Sequence, residues 1–186
     1  RTETARDRQE ARANVAPDAA GHREKLLERF DTRAAAFMGG IADDELRAEY
    51  QARIAEARAD LDLDEDAWVL GVRADKAARD ADTAVSTAAN GLAVGGTERD
   101  LQQQVELFRQ TFAAIPELNS QQRTKLTRYA ENRLARSFIE GLTERDPYAA
   151  KALIESGRLN SLIDGEAMGV IAVSYTHLRA HETEAT

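Results

Sequence analysis

Cysteine is absent from the 186 residues. No disulfide can staple the chain, and no thiolate is available as a nucleophile or metal ligand. Proline occurs three times, so long stretches carry no residue that forbids a helix. Aromatic residues make up 5% of the chain, with a single tryptophan. A core drawn from this inventory is aliphatic and alanine-rich, and is expected to be thin. Cationic residues are in deficit, with 25 Lys and Arg against 33 Asp and Glu and a formal net charge of −8. General binding to nucleic acid or to anionic membranes needs clustered Lys and Arg, and this balance argues against both. No apolar run approaches the roughly 20 residues of a membrane span.

Alanine is abundant instead, at 35 positions. It is the best helix former and buries little area. The expected fold is all-α, with about six amphipathic helices and no sheet, because no stretch alternates at period two over a useful length. A chain of this size buries about two-thirds of its unfolded surface, enough for one or two small domains.

Residues 1–17 carry charge without apolar periodicity and read as a lead-in, disordered or a frayed helix. Asp18 is placed to cap a first helix with Leu26, Phe30, Ala34 and Phe37 on one stripe, ended by Gly39-Gly40. Asp43 or Asp44 starts a second, whose apolar set is Leu46, Tyr50, Ile54, Ala57 and Leu61. The acidic run Asp62–Asp66 is expected to separate it from a third helix opening at Ala67 and carrying Trp68, Val72, Val85, Ala89 and Leu92. Asn90-Gly91 and Gly95-Gly96 predict a hinge. Thr97 caps a fourth helix, with Asp100 at its third position and Leu101, Val105, Phe108, Phe112 and Ile115 on a heptad-like seam ended by Pro116. Asn119 or Ser120 caps a fifth, lined by Leu126, Ala130, Leu134, Phe138 and Leu142. Asp146-Pro147 starts a short sixth, stopped by Gly157. Leu159, Leu162 and Ile163 are expected to fold back onto the last two helices. The organisation expected is an N-terminal helical group at 18–93 and a C-terminal group at 97–172, followed by a tail at 173–186.

That tail is a case apart. Val173-Ser174-Tyr175-Thr176-His177-Leu178-Arg179-Ala180-His181-Glu182-Thr183 resembles the translated transposase mosaic-end adapter of a sequencing library. The resemblance implies that 173–186 is not native, and that His177 and His181 are not the metal pair their i, i+4 spacing suggests. It also implies that Val170–Tyr175, the one strand-like run, straddles a junction. With Arg1 in place of an initiator methionine, the chain is expected to be a piece of a longer reading frame. Without the tail the net charge is −7. His22 is then the only histidine, too few for a metal site or a Ser-His-Asp arrangement, and reads as a solvated helix-start residue. No catalytic, cofactor-binding or metal residue is therefore assigned, and no cofactor.

Three features invite a functional reading. Lys125, Arg128 and Arg136 share one face of the fifth helix, suited to phosphate or an acidic partner and equally to plain solvent. Tyr129 lies at that face's edge. Trp68 marks a possible docking patch, or simply core.

Two resemblances bear on activity. Ile154-Glu155-Ser156-Gly157, with Glu166-Ala167-Met168-Gly169 downstream, is similar to the acid-glutamate motif of soluble lytic transglycosylases. That similarity implies an edge fragment acting on peptidoglycan through Glu155. Asp146-Pro147-Tyr148-Ala149-Ala150-Lys151-Ala152-Leu153-Ile154-Glu155-Ser156-Gly157 with Leu162-Ile163-Asp164, and Pro17-Asp18-Ala19-Ala20-Gly21-His22 before Phe30-Asp31, resemble helical modules of large bacteriophage virion proteins, tail-associated or internal. This broader resemblance spans most of 16–166. It implies a non-enzymatic structural or assembly segment contacting other virion proteins, located in the virion and in host cytoplasm during synthesis.

Overall fold

A computed structural model describes residues 2–163. Among the described residues the chain is all-α, with no strand. The helices are α1 Thr2–Ala13, α2 His22–Gly39, α3 Asp44–Gly95, α4 Glu98–Ala113, α5 Ser120–Arg145 and α6 Pro147–Glu155. The expected tail, its two histidines, the 166–169 segment and the strand-like run lie outside the described residues.

The described residues form six helices, though not the six expected. The lead-in is helical as α1. The acidic run Asp62–Asp66 does not interrupt anything, and the predicted second and third helices are the single 52-residue α3. The physical reason lies in partners distant in sequence. Arg23 pairs with Asp62 at 2.7 Å, Arg8 with Asp64 at 3.1 Å, and Arg12 with Glu65 at 2.8 Å. Once those charges are matched, the run contains no proline or glycine to break the helix. Asn90-Gly91 is also helical, so the bend narrows to Gly96 and Thr97, with Thr97 extended at φ −102° and ψ 167°.

The chain divides into two compact units within α3, after Ala77. The first holds α1, α2 and α3 up to that point. Asp18 is not the α2 cap here. Its Oδ1 accepts from the Ala20 backbone N–H at 3.0 Å, and α2 starts four residues later, after Gly21 at φ 67°. A buried set of Ala19, His22, Leu26, Leu61, Glu65, Val69 and Ala74 ties the unit together. By contrast, no residue between 27 and 60 is buried. Phe37 meets Tyr50 edge-on at 5.2 Å, and Asp31 takes a two-pronged contact from Arg58 at 2.8 and 3.0 Å.

The second unit contains the main core. Val85, Ala89 and Leu92 of α3 pack with Leu101, Val105, Phe108 and Phe112 of α4, and with Ala130, Leu134, Phe138 and Ile139 of α5. Leu153 of α6 closes it together with Leu159 and Ile163, which fold back as expected, and Leu162 packs half-buried against it. In this unit Thr97 caps α4 and Asp146-Pro147 starts α6 as expected, and of Asn119 and Ser120 it is Asn119 that caps α5. Thr97 with Asp100 and Asn119 with Gln122 each form a reciprocal capping box. Asp146 caps α6 by accepting from the Ala149 N–H at 2.9 Å, with Pro147 behind it. Gly157 takes φ 68° after α6, the left-handed conformation that favours glycine. Gly141 is fixed by contact instead, because a β-carbon there would collide with the Ala93 carbonyl. At the same crossing, Arg145 donates to the carbonyls of Ala93 and Gly96, two acceptors left open where α3 ends.

Candidate functional site

A densely paired polar cluster lies in the first unit, around Glu65. Its side chain is fully buried, which would be costly for a lone carboxylate. Three cationic or potentially cationic groups converge on it. Arg12 donates from its terminal nitrogen at 2.8 Å and from Nε at 3.3 Å, Arg8 Nε lies at 3.2 Å, and His22 Nε2 lies at 3.0 Å. Trp68 forms the wall. Its ring is 4.7 Å from that of His22, and the Arg12 guanidinium sits 4.9 Å from its centroid. His22 is thus a buried partner of Glu65 at 6% exposure rather than a solvated helix-start residue. Its partner is 43 positions away, so no local pattern marks the pair. Trp68 is half-buried and engaged by these neighbours.

Glu65 was legible as a member of an acidic run, not as a site. The signal that separates it is its i, i+4 spacing with Leu61 and Val69, both buried. That spacing puts one carboxylate on an apolar stripe and predicts a buried acid in need of partners.

In the second unit, a shallow cavity of about 490 Å³ is lined by Arg109, Arg123, Arg128, Thr127, Glu131 and Ser161, among others. Glu131 is buried at 4% exposure and receives Arg109 Nε at 2.7 Å and Arg128 at 3.4 Å. Arg123 is turned to the Ile115 carbonyl at 2.9 Å. The basic face expected on α5 is therefore divided. Arg128 serves Glu131 and the Ser161 carbonyl, while Arg136 pairs with Glu140 one turn on at 2.8 Å. Lys125 remains exposed. Tyr129 donates to the Asp82 carboxylate, and that hydrogen bond, with lesser burial and charge effects, holds its phenol above the ordinary range.

Glu155 stands at the exposed end of α6 with 66% of its side chain accessible, 3.6 Å from Lys151. Ser156 Oγ donates to the Leu153 carbonyl at 2.6 Å, and the Gly157 N–H to that of Ile154 at 3.1 Å. Within the described residues, the Glu-Ser-Gly motif closes a helix. Metal ligation has no candidate among those residues: no group of three or more His, Asp or Glu could hold an ion. No described helix is long and apolar enough to cross a membrane.

What the first unit does expose is apolar surface. Phe37 is 52% exposed, and Leu46, Leu63 and Leu70 are also open. Phe30, Ile41, Tyr50 and Ile54 are half-buried. No family profile, curated protein or solved structure matches this chain.

Proposed function

We propose that this chain is a non-enzymatic structural and assembly segment of a bacteriophage virion protein, acting through helix-face contacts with other virion subunits. One observation carries the assembly part. Along 27–60 the apolar stripes of α2 and α3 are laid out at helical spacing, yet no residue in that span is buried. A helix stripe that a chain leaves half-open is suited to completion by another protein's side chains. The virion setting rests on the resemblance of 16–166 to virion helical modules. The exposed, ion-paired Glu155 supports the non-enzymatic part, because a glycosidic acid works from a desolvated cleft that raises its pKa.

The test has two arms. In purified particles of a phage whose genome encodes this chain, cross-linking mass spectrometry should join residues 22–60 to other virion proteins. Absence of the chain from particles refutes the virion setting. Incubated with purified peptidoglycan, the chain should release no muropeptides. Release that disappears in Glu155→Gln would replace this proposal with a lytic transglycosylase.

A further inference from the structure

α1 is held in an unusual way. Its described side chains include no apolar group larger than alanine. Arg8 and Arg12 stand one turn apart, on the same side of the helix. Both reach Glu65 Oε1, at 3.2 and 2.8 Å, while Arg8 also takes Asp64 at 3.1 Å and Arg12 covers Trp68. α1 also lies against α2, with Glu10 and Ala11 beside Lys25 and Leu26, while Arg6 pairs with Glu10 within the helix. The seat consists of one buried carboxylate, one exposed carboxylate and an indole face. It recognises a helix presenting two arginines at i and i+4.

The connection from α1 to that seat is strained. Ala19 sits at φ 54°, a left-handed conformation that costs a non-glycine residue, and it is buried to 1% exposure. Gly21 at φ 67° lies two residues on. A short strained hinge joining a detachable element to its seat favours opening of the hinge, with the element then seated on another copy. Opening without replacement would strip a fully buried Glu65 of two of its three partners. Exchange with a second copy restores every one of those contacts and releases the bend at 14–21.

We propose that the Glu65–Trp68 seat is a diarginine-helix receptor through which two copies of this chain assemble by exchanging α1, Arg8 and Arg12 of one engaging Glu65 of the other. The inference is independent of the virion setting, and its test does not involve phage particles. Light scattering on the full chain should show a monomer in dilute solution and a dimer at high concentration. Ionic strength should shift the dimer little, because exchange makes the same charged contacts that each copy makes within itself. Arg8→Ala/Arg12→Ala removes the ligand, and Glu65→Gln removes the receptor. Each variant alone should stay monomeric, while an equimolar mixture should recover a dimer with one intact seat.

Wild-type chain that is monomeric at every concentration overturns the proposal, and so does a dimer that survives in either variant. Circular dichroism checks that the variants keep their helix. Should Glu65→Gln lose it, a peptide of residues 1–16 titrated into the Arg8→Ala/Arg12→Ala chain takes its place. A saturable change in Trp68 fluorescence is expected, suppressed by salt. No change at low salt rejects the receptor.

Discussion

At Gly141 a β-carbon has nowhere to go, because the Ala93 carbonyl of the crossing helix occupies its place. Gly141→Ala is therefore expected to cost about 3 kcal/mol through forced separation of backbones. Gly91 is the control. It is helical, exposed, and would place its β-carbon in open space. Gly91→Ala should stabilise by about 0.5–1 kcal/mol. Urea melts of the two variants should move in opposite directions. Asp100 supplies a pH-dependent term. The Thr97 hydroxyl and N–H donate to its carboxylate and hold its pKa below the ordinary value. The unfolded chain then takes up the proton first. Stability from this group is present at neutral pH and is lost as pH falls below about 4, through the lowered folded value. Asp100→Asn cannot titrate, so its melting temperature should fall less between neutral and acid pH. These caps were legible in the sequence because their partners lie three residues apart. Glu65 and His22 were not, because what neutralises and buries them comes from 43 and 53 positions away.

For whole elements, the difference between expectation and structure is concentrated in α3. An acidic run read as a linker is instead a helix interior, and Leu63 provides the test. It is 71% exposed, so its side chain contributes little. Proline at 63 would delete a helical hydrogen bond and clash with the preceding turn. Leu63→Pro should cost about 3 kcal/mol or more, while Leu63→Ala stays near neutral. Thermal denaturation of the pair distinguishes them. A linker would tolerate both. The α4 seam and the α5 stripe were legible because packing follows the 3.6-residue period directly. Burial on the second flank of α5, at Glu131, Ala135 and Ile139, was not foreseen, since a single stripe was sought where the helix is enclosed on two sides.

Across the molecule, burial is uneven. Phe112, Leu101, Leu134 and Ile139, each under 2% exposed, belong to the second unit, whereas the first is joined largely by ion pairs and a small apolar set. Folding is therefore not expected to be a single two-state event. Trp68 reports the first unit alone. Its fluorescence should change at lower urea than the bulk of the helical circular dichroism, and added salt should widen the gap by screening the charges around Glu65. Superimposed transitions would refute this.

The open span at 27–60 also governs how the chain meets a protease. An endopeptidase needs several residues drawn out of helix into its cleft, and local melting is cheapest where little apolar surface must be given up. Arg29, Arg33, Arg47 and Arg53 all lie in that span. The bonds after them are the ones trypsin should sever first, and the piece that outlasts the digestion should carry Leu101 to Ile163.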